Sequence, residues 1–175
     1  MAKAIFVKAA RKDYPEHGIK KGESYYHWQL FKQPKRFSKT LPRASQLTGS
    51  NFLSQLYSFQ EELEDMTAMD IDDLQNQMED LAGRIRELGE EQRSNRENMP
   101  EGLQDSDTGQ LLEERADEME GWADSIEGMD FSFDPKDVSV EEEATEEEKE
   151  QAIADALQER INELISEATD SAPCL

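Results

Sequence analysis

Charge is divided so unevenly along this chain that its two parts cannot be expected to fold in the same way. Residues 1–48 carry eleven Lys or Arg and three acidic residues, a balance of +8. The remaining residues carry eight basic and 38 acidic residues, a balance of −30. Because self-repulsion opposes compaction, an elongated helical body tolerates the acidic charge better than a single globule does. We therefore expect a basic head and an acidic body with separate roles.

The apolar content limits the size of any core. Hydrophobic residues make up 35% of the 175 residues, whereas globular domains usually have about 45–50%. The sequence contains no run of about 18 apolar residues, which a membrane-spanning helix needs. A single cysteine, Cys174, excludes an intrachain disulfide. We expect a soluble, cytoplasmic protein without membrane contact.

Three short β-favouring segments lie in the basic part. Residues 3–10 (KAIFVKAA) predict a strand that ends at a polar loop, residues 11–18. Residues 23–32 (ESYYHWQLFK) predict a second strand, and residues 33–36 (QPKR) predict a hairpin turn because proline presets a turn conformation. Residues 36–41 (RFSKTL) then return as a third strand. This pattern predicts a three-stranded antiparallel module over residues 1–48.

Alternation along the second strand separates two sets of side chains. Tyr25, His27 and Phe31 share one face, and Trp28 and Leu30 share the other. We expect the Trp28 face to be the core, although both faces carry aromatic rings and the pattern does not decide which is inside. A nucleic-acid-binding surface requires aromatic rings that stack on bases and cations that contact phosphates. The predicted nucleic-acid-binding residues are Lys20, Lys21, Tyr25, His27, Phe31, Lys32, Lys35, Arg36 and Lys39. The alternative is that the rings form a small core with the cations at its rim.

The segment YYHWQLFKQPKRFSKT, an aromatic strand, a tight turn and a basic strand that precede a helix, carries a family resemblance. It resembles the three-stranded arm-type DNA-binding modules of phage integrases, and also N-terminal segments of uncharacterised phage and bacterial proteins. The resemblance covers about the first 48 residues. It implies a DNA-contacting sheet that uses Lys32, Lys35, Arg36 and Lys39, and an origin in a phage or mobile element.

Helical periodicity begins at Asn51. Apolar residues spaced three and four apart predict a helix over residues 51–66. The five-residue step from Met66 to Ile71 breaks the phase, and Asp70 can cap a new helix over residues 70–98, so we favour two helices over one long helix with a phase slip. The second stripe is narrow, like a coiled-coil seam, and requires a partner helix from the same chain or from a second copy. The predicted interface residues are Leu74, Met78, Leu81, Ile85 and Leu88.

Two further helices are predicted in the acidic region. Asp107 or Thr108 can start one, and Thr145 with Glu148 forms a capping box for the last. Residues 128–144 read as an acidic linker. The predicted organisation is α+β and mostly α, with a β module (1–48), two helices with a coiled-coil-like seam (49–98) and an acidic helical region (99–175).

The sequence lacks the common catalytic patterns. It has no phosphate-binding glycine loop, nucleophile elbow or HExxH motif, and its two histidines and single cysteine do not form a zinc site. We therefore expect a binding or adaptor protein without enzymatic activity, cofactor or metal, whose head contacts nucleic acid and whose acidic helices bind a protein or form a homodimer.

An alternative function rests on the acidic helices alone. Residues 101–150 hold twenty acidic residues against three basic ones. Fixed on rigid helices, such carboxylates could imitate the phosphates of a duplex and inhibit a host DNA-binding enzyme of a defence or restriction system. The same composition is also typical of a solvated, partly disordered segment.

Overall fold

The computed structural model describes residues 1–139 and 145–173 and has an α+β architecture that is mostly α, which confirms the predicted fold class. The chain divides into two compact units, Met1–Glu61 and Glu62–Leu175. We call them the N-terminal and C-terminal units. The boundary drawn from the charge pattern, at residue 48, falls inside the N-terminal unit. That unit carries eleven basic and four acidic residues, a balance of +7.

The N-terminal unit contains an antiparallel sheet in the order β1-β2-β3, with β1 at Ile5–Val7, β2 at Tyr25–Trp28 and β3 at Arg36–Ser38. All three strands are shorter than the sequence predicts. Because β2 ends at Trp28, the chain reverses in a turn in which the Gln33 N–H donates to the Leu30 carbonyl at 3.0 Å. The predicted turn over residues 33–36 is therefore placed too late, and Phe31 does not belong to the strand.

Two helices follow the sheet along the chain, and the last three residues of the longer one lie beyond Glu61. The longer one, α2, spans Asn51–Glu64 and confirms the helix expected from residue 51. A four-residue helix that the periodicity does not predict, α1, spans Ala44–Leu47. Its end receives a hydrogen bond from the Trp28 indole N–H to the Gln46 carbonyl, at 3.0 Å. This contact covers Trp28, which is buried as expected.

The C-terminal unit contains α3 (Ile71–Glu97), α4 (Glu101–Gln104), α5 (Asp107–Glu127) and α6 (Glu146–Asp170). The residues between α2 and α3 are not helical, which confirms two helices rather than one. Asp70 caps α3 by accepting the Asp73 N–H at 2.8 Å. The predicted capping box opens α6, where the Thr145 N–H donates to the Glu148 carboxylate at 2.7 Å. Polar side chains at fixed spacing thus set both helix starts.

The partner of the α3 seam is α5, which runs antiparallel to α3 in the same chain. The five predicted interface residues are all buried, so their burial needs no second copy of the chain. From α5 the core receives Ala116, Met119, Trp122, Ala123 and Ile126. Helix α6 adds Ile161, Leu164 and Ala168, and the Trp122 indole N–H donates to the Ala168 carbonyl at 3.0 Å. Within the described residues, no helix is long and apolar enough to cross a membrane.

Candidate nucleic-acid interface

One face of the sheet is covered and forms a buried cluster, separate from the buried Trp28 on the other face. Tyr25 is only 7% exposed and lies in a cluster with Ala10 and Ile19. The Tyr25 ring lies 5.7 Å from the Tyr14 ring and 5.9 Å from the Phe37 ring, measured between centroids. Burial, followed by a hydrogen bond with Tyr14, raises the pKa of the Tyr25 hydroxyl. The expectation that Tyr25 is presented to a ligand is wrong, because its ring is enclosed.

A loop between β1 and β2 covers this face. The Tyr14 N–H donates to the Ile19 carbonyl at 2.8 Å, and the Lys21 N–H donates to the Asp13 carboxylate at 2.6 Å. Gly18 permits the return of the chain, because its φ of 65° is a conformation that other residues rarely adopt. Such a loop gives the sheet a covered face without a helix, which alternation along β2 alone cannot reveal.

His27 lies at the edge of the covered face. It is half-buried, and its ring centroid is 6.2 Å from Phe37 and 6.1 Å from Tyr25. The exposed His17 ring stacks on Phe37 at 4.6 Å. These imidazoles therefore pack with aromatic rings of the module, and His27 presents only part of its surface to solvent.

The opposite face of the sheet carries an aromatic pair, in which Phe6 is exposed and Tyr26 is half-buried. Phe6 is 55% exposed and lies opposite Tyr26 in the strand register, with 5.1 Å between ring centroids and 48° between ring planes. Ser38 continues this row on β3. Trp28 shares the face but is covered through its contact with α1. We name Phe6 and Tyr26 the open-face pair. The sequence prediction included neither residue, although alternation along KAIFVKAA puts Phe6 and Val7 on different faces of the strand.

The β2–β3 turn exposes an aromatic ring and three cations. Phe31 is 87% exposed, and the Lys32 ammonium lies 5.2 Å from its ring centroid. Lys32 has a φ of 58°, so it occupies the left-handed position of the turn. Arg36 is exposed and donates to the Gln33 side-chain carbonyl at 2.9 Å. Lys35 is also exposed, and neither it nor Lys32 has an ion-pair partner among residues 1–139 and 145–173.

The other predicted cations lie around the turn at residues 20–23. Lys20 and Lys21 are exposed, and the Lys20 N–H donates to the Glu23 carboxylate at 2.8 Å. Lys39 forms an ion pair with the same carboxylate at 3.0 Å. These contacts, the Lys20 N–H first and Lys39 next, lower the pKa of Glu23. Lys39 is therefore partly neutralised within the unit, unlike Lys32 and Lys35.

Arginines of the C-terminal unit are engaged by its own carboxylates. Arg86 on α3 contacts Asp124 at 2.7 Å and also Glu127, and the two carboxylates raise the pKa of the guanidinium. Further along, Arg93 contacts Glu120 at 2.8 Å and Arg96 contacts Glu113 at 3.2 Å. The partners on α5 have lower residue numbers as the arginines on α3 have higher ones, so these ion pairs connect two antiparallel helices along their length. They leave the outer carboxylates of this unit largely uncompensated.

No group of three or more His, Cys, Asp or Glu that could hold a metal ion occurs among the described residues. Comparison of the chain with models of protein families, with curated proteins and with solved structures finds no match. The candidate interface therefore rests on the residues themselves: the open-face pair, the turn cations and Phe31.

Proposed function

We propose that this chain is a non-enzymatic, cytoplasmic binding protein whose N-terminal unit contacts nucleic acid. The observation that carries the proposal is the β2–β3 turn, which exposes Lys32, Lys35 and Arg36 together with the Phe31 ring, 87% exposed and 5.2 Å from the Lys32 ammonium. Burial of Phe31 would lower the free energy of the protein by removing apolar surface from water. Its exposure beside uncompensated cations favours a ligand that offers both phosphates and flat bases.

The charge of the unit supports the same ligand class. Eleven basic residues against four acidic ones attract a polyanion over a screening length of about 8 Å at physiological ionic strength. Each phosphate that a lysine neutralises releases condensed counterions, so affinity falls steeply as salt rises. The carboxylate-rich C-terminal unit cannot supply such an attraction and is proposed to bind a protein partner.

The test is the salt dependence of nucleic-acid binding by the full chain. We expect Lys32→Gln with Lys35→Gln to reduce the slope of log affinity against log salt by about 1.4 for a single strand, because each lost phosphate contact removes about 0.7. Fluorescence anisotropy of a labelled oligonucleotide measures the slope.

The matched control removes two cations from the other unit, Lys136→Gln with Lys149→Gln, and changes the net charge equally. The melting temperatures of both variants should lie within a few degrees of that of the wild type, since Lys32, Lys35 and Lys136 are exposed and Lys149 is only half-buried. Equal slopes for the two double variants, or no binding of the wild type at low salt, would refute the proposed function.

A second candidate is the acidic DNA mimic, favoured by one feature of α5. A shallow, open concavity of about 630 Å³ is lined by Gln110, Glu113, Glu114, Asp117 and Glu118. The helix packs along α3, so these carboxylates sit on a rigid element, as a mimic requires. In that case the full chain would inhibit a DNA-cleaving restriction enzyme, and Glu114→Gln with Glu118→Gln would relieve inhibition more than Glu147→Gln with Glu150→Gln on α6.

A further inference from the structure

The open-face pair is an aromatic surface that the fold of the N-terminal unit covers only in part, because Tyr26 is half-buried and Phe6 is exposed. Phe6 lies on the edge strand β1 and is 55% exposed, while the loop over residues 11–18 covers the other face of the sheet. The Phe6 and Tyr26 rings are tilted by 48°, so they do not close into a stacked pair. A second planar group can therefore lie against an exposed ring face.

Positive charge borders this pair. Arg36 is exposed and belongs to the same face, because it lies opposite Trp28 and two residues along β3 from Ser38, the residue opposite Tyr26. Diagonal neighbours on one face of a sheet are about 7–8 Å apart, within the reach of a long side chain. Lys8 follows β1 directly and is exposed. The two rings and the Arg36 cation thus share one face of the sheet, and Lys8 follows the strand that carries Phe6.

We propose that Phe6 and Tyr26 form a stacking platform for unpaired bases, so that the ligand of the N-terminal unit is a single-stranded nucleic acid. This inference rests on the proposed function and names its substrate class. Every base has a flat face, whereas a duplex hides those faces inside its own stack, and only a single strand can place a base on the Phe6 ring. The cations of the β2–β3 turn then hold the phosphates, and the rings hold the bases.

The charge of the surface argues for this occupant over a second copy of the chain. Contact between the same strips of two copies would bring together two N-terminal units, each with a balance of +7, and these like charges repel. A single strand brings negative charge together with planar apolar groups, and it complements both features.

The experiment uses the full chain, with Phe6→Ala as the test and Ile5→Ala as the matched control. Ile5 is 51% exposed, adjoins Phe6 on β1 and lies on the opposite face, so the two substitutions remove similarly exposed apolar side chains from one strand. Three probes are compared by anisotropy or competition: a mixed-sequence single-stranded oligonucleotide, its duplex, and inorganic polyphosphate. Thermal melting confirms that each variant is folded.

We expect Phe6→Ala to weaken single-strand binding at least fivefold, because loss of one base–ring stack costs about that much or more. Polyphosphate has no bases, so its affinity should stay within twofold, and Ile5→Ala should leave all three affinities unchanged. Phe6→Tyr keeps an aromatic ring at this position, so its affinity for the single strand should be close to that of the wild type.

Other outcomes separate the two claims. If Phe6→Ala leaves single-strand and polyphosphate binding unchanged, the stacking platform is overturned while the proposed function stands. If the wild type binds the single strand and the duplex with equal affinity, and Phe6→Ala weakens both affinities equally, the single-strand assignment is overturned. A change in sedimentation mass on Phe6→Ala would identify the strip as an interface between copies and also overturn the inference. If the wild type binds none of the three probes, both the function and the inference fail.

Discussion

Glu118 illustrates how one side chain in an acidic helix can lower stability. It is half-buried on α5, and one of its carboxylate oxygens is buried and accepts no hydrogen bond from the described residues. Burial first, and then the charge of Glu114, raise the pKa of Glu118 above the usual glutamate value of 4.5. The folded chain therefore binds this proton more tightly than the unfolded chain, and the stability it contributes below pH 4.5 is lost as the pH rises through the raised pKa.

We accordingly expect Glu118→Gln to raise the melting temperature at neutral pH, where the charged form is penalised, and to have little effect below about pH 4. Thermal melts of the full chain across this pH range measure the difference. The control is Glu90→Gln, which removes one charge from an exposed position of α3. If Glu118→Gln raised the melting temperature equally at neutral pH and below about pH 4, or if Glu90→Gln raised it as much, burial of the charged Glu118 carboxylate would not be the cause.

At the level of elements, the packing of α3 against α5 depends on a glycine at their closest approach. Gly89 is buried, and a Cβ built on it would lie 3.1 Å from the Ala116 carbonyl oxygen and 3.1 Å from the Met119 Cβ. Gly83, on the same helix, would meet nothing within 4 Å. Glycine lowers the helix propensity at both positions, and the structure in addition assigns Gly89 a packing role.

Alanine at either position gains the same helix propensity, about 1 kcal/mol. We expect Gly83→Ala to raise the free energy of unfolding by about that amount. Gly89→Ala should be less stable than Gly83→Ala by about 1 kcal/mol or more, because α5 must shift to admit the methyl group. Urea denaturation compares the two variants directly, with Gly83→Ala as the internal control. Equal gains would mean that α3 and α5 are not in close contact at Gly89.

Over the whole molecule, salt should act in opposite directions on stability and on binding. The formal net charge is −22, and the carboxylates of the C-terminal unit far outnumber its arginines. Self-repulsion destabilises such a chain, and the screening length falls from about 30 Å at 0.01 M salt to about 3 Å at 1 M. Surface ion pairs such as Arg93–Glu120 are weakened by the same screening, but pairs of this kind add little stability.

We therefore expect the melting temperature to rise with ionic strength while nucleic-acid affinity falls. Sodium fluoride should act like sodium chloride at equal ionic strength, which controls for specific chloride binding. A melting temperature that falls with added salt would show that the arginine–carboxylate pairs outweigh the repulsion among the remaining carboxylates.

The helices were predictable because their signals are local. Spacings of three and four residues define a stripe, and a capping side chain must stand within three residues of the N–H that it accepts, as Asp70 does for Asp73. Helices α1 and α4 are not predicted, because four residues are too few to show a period. Strand ends were placed too far out because Leu30 and Phe31 are apolar, yet the chain turns there.

The sequence by itself determined the fold class, the starts of α3 and α6, the buried stripe of α3 and the opposition of charge between the ends of the chain. Only the tertiary structure decided what covers each apolar surface: α5 for the α3 stripe, and a glycine-containing loop for the Tyr25 face of the sheet. It also left Phe6 exposed and Tyr26 half-buried on the opposite face, while it enclosed Tyr25. The physical reason is that periodicity indicates which side chains are buried on the same face of an element. The element that packs against this face is formed by residues far away in the chain, and the local pattern does not identify it.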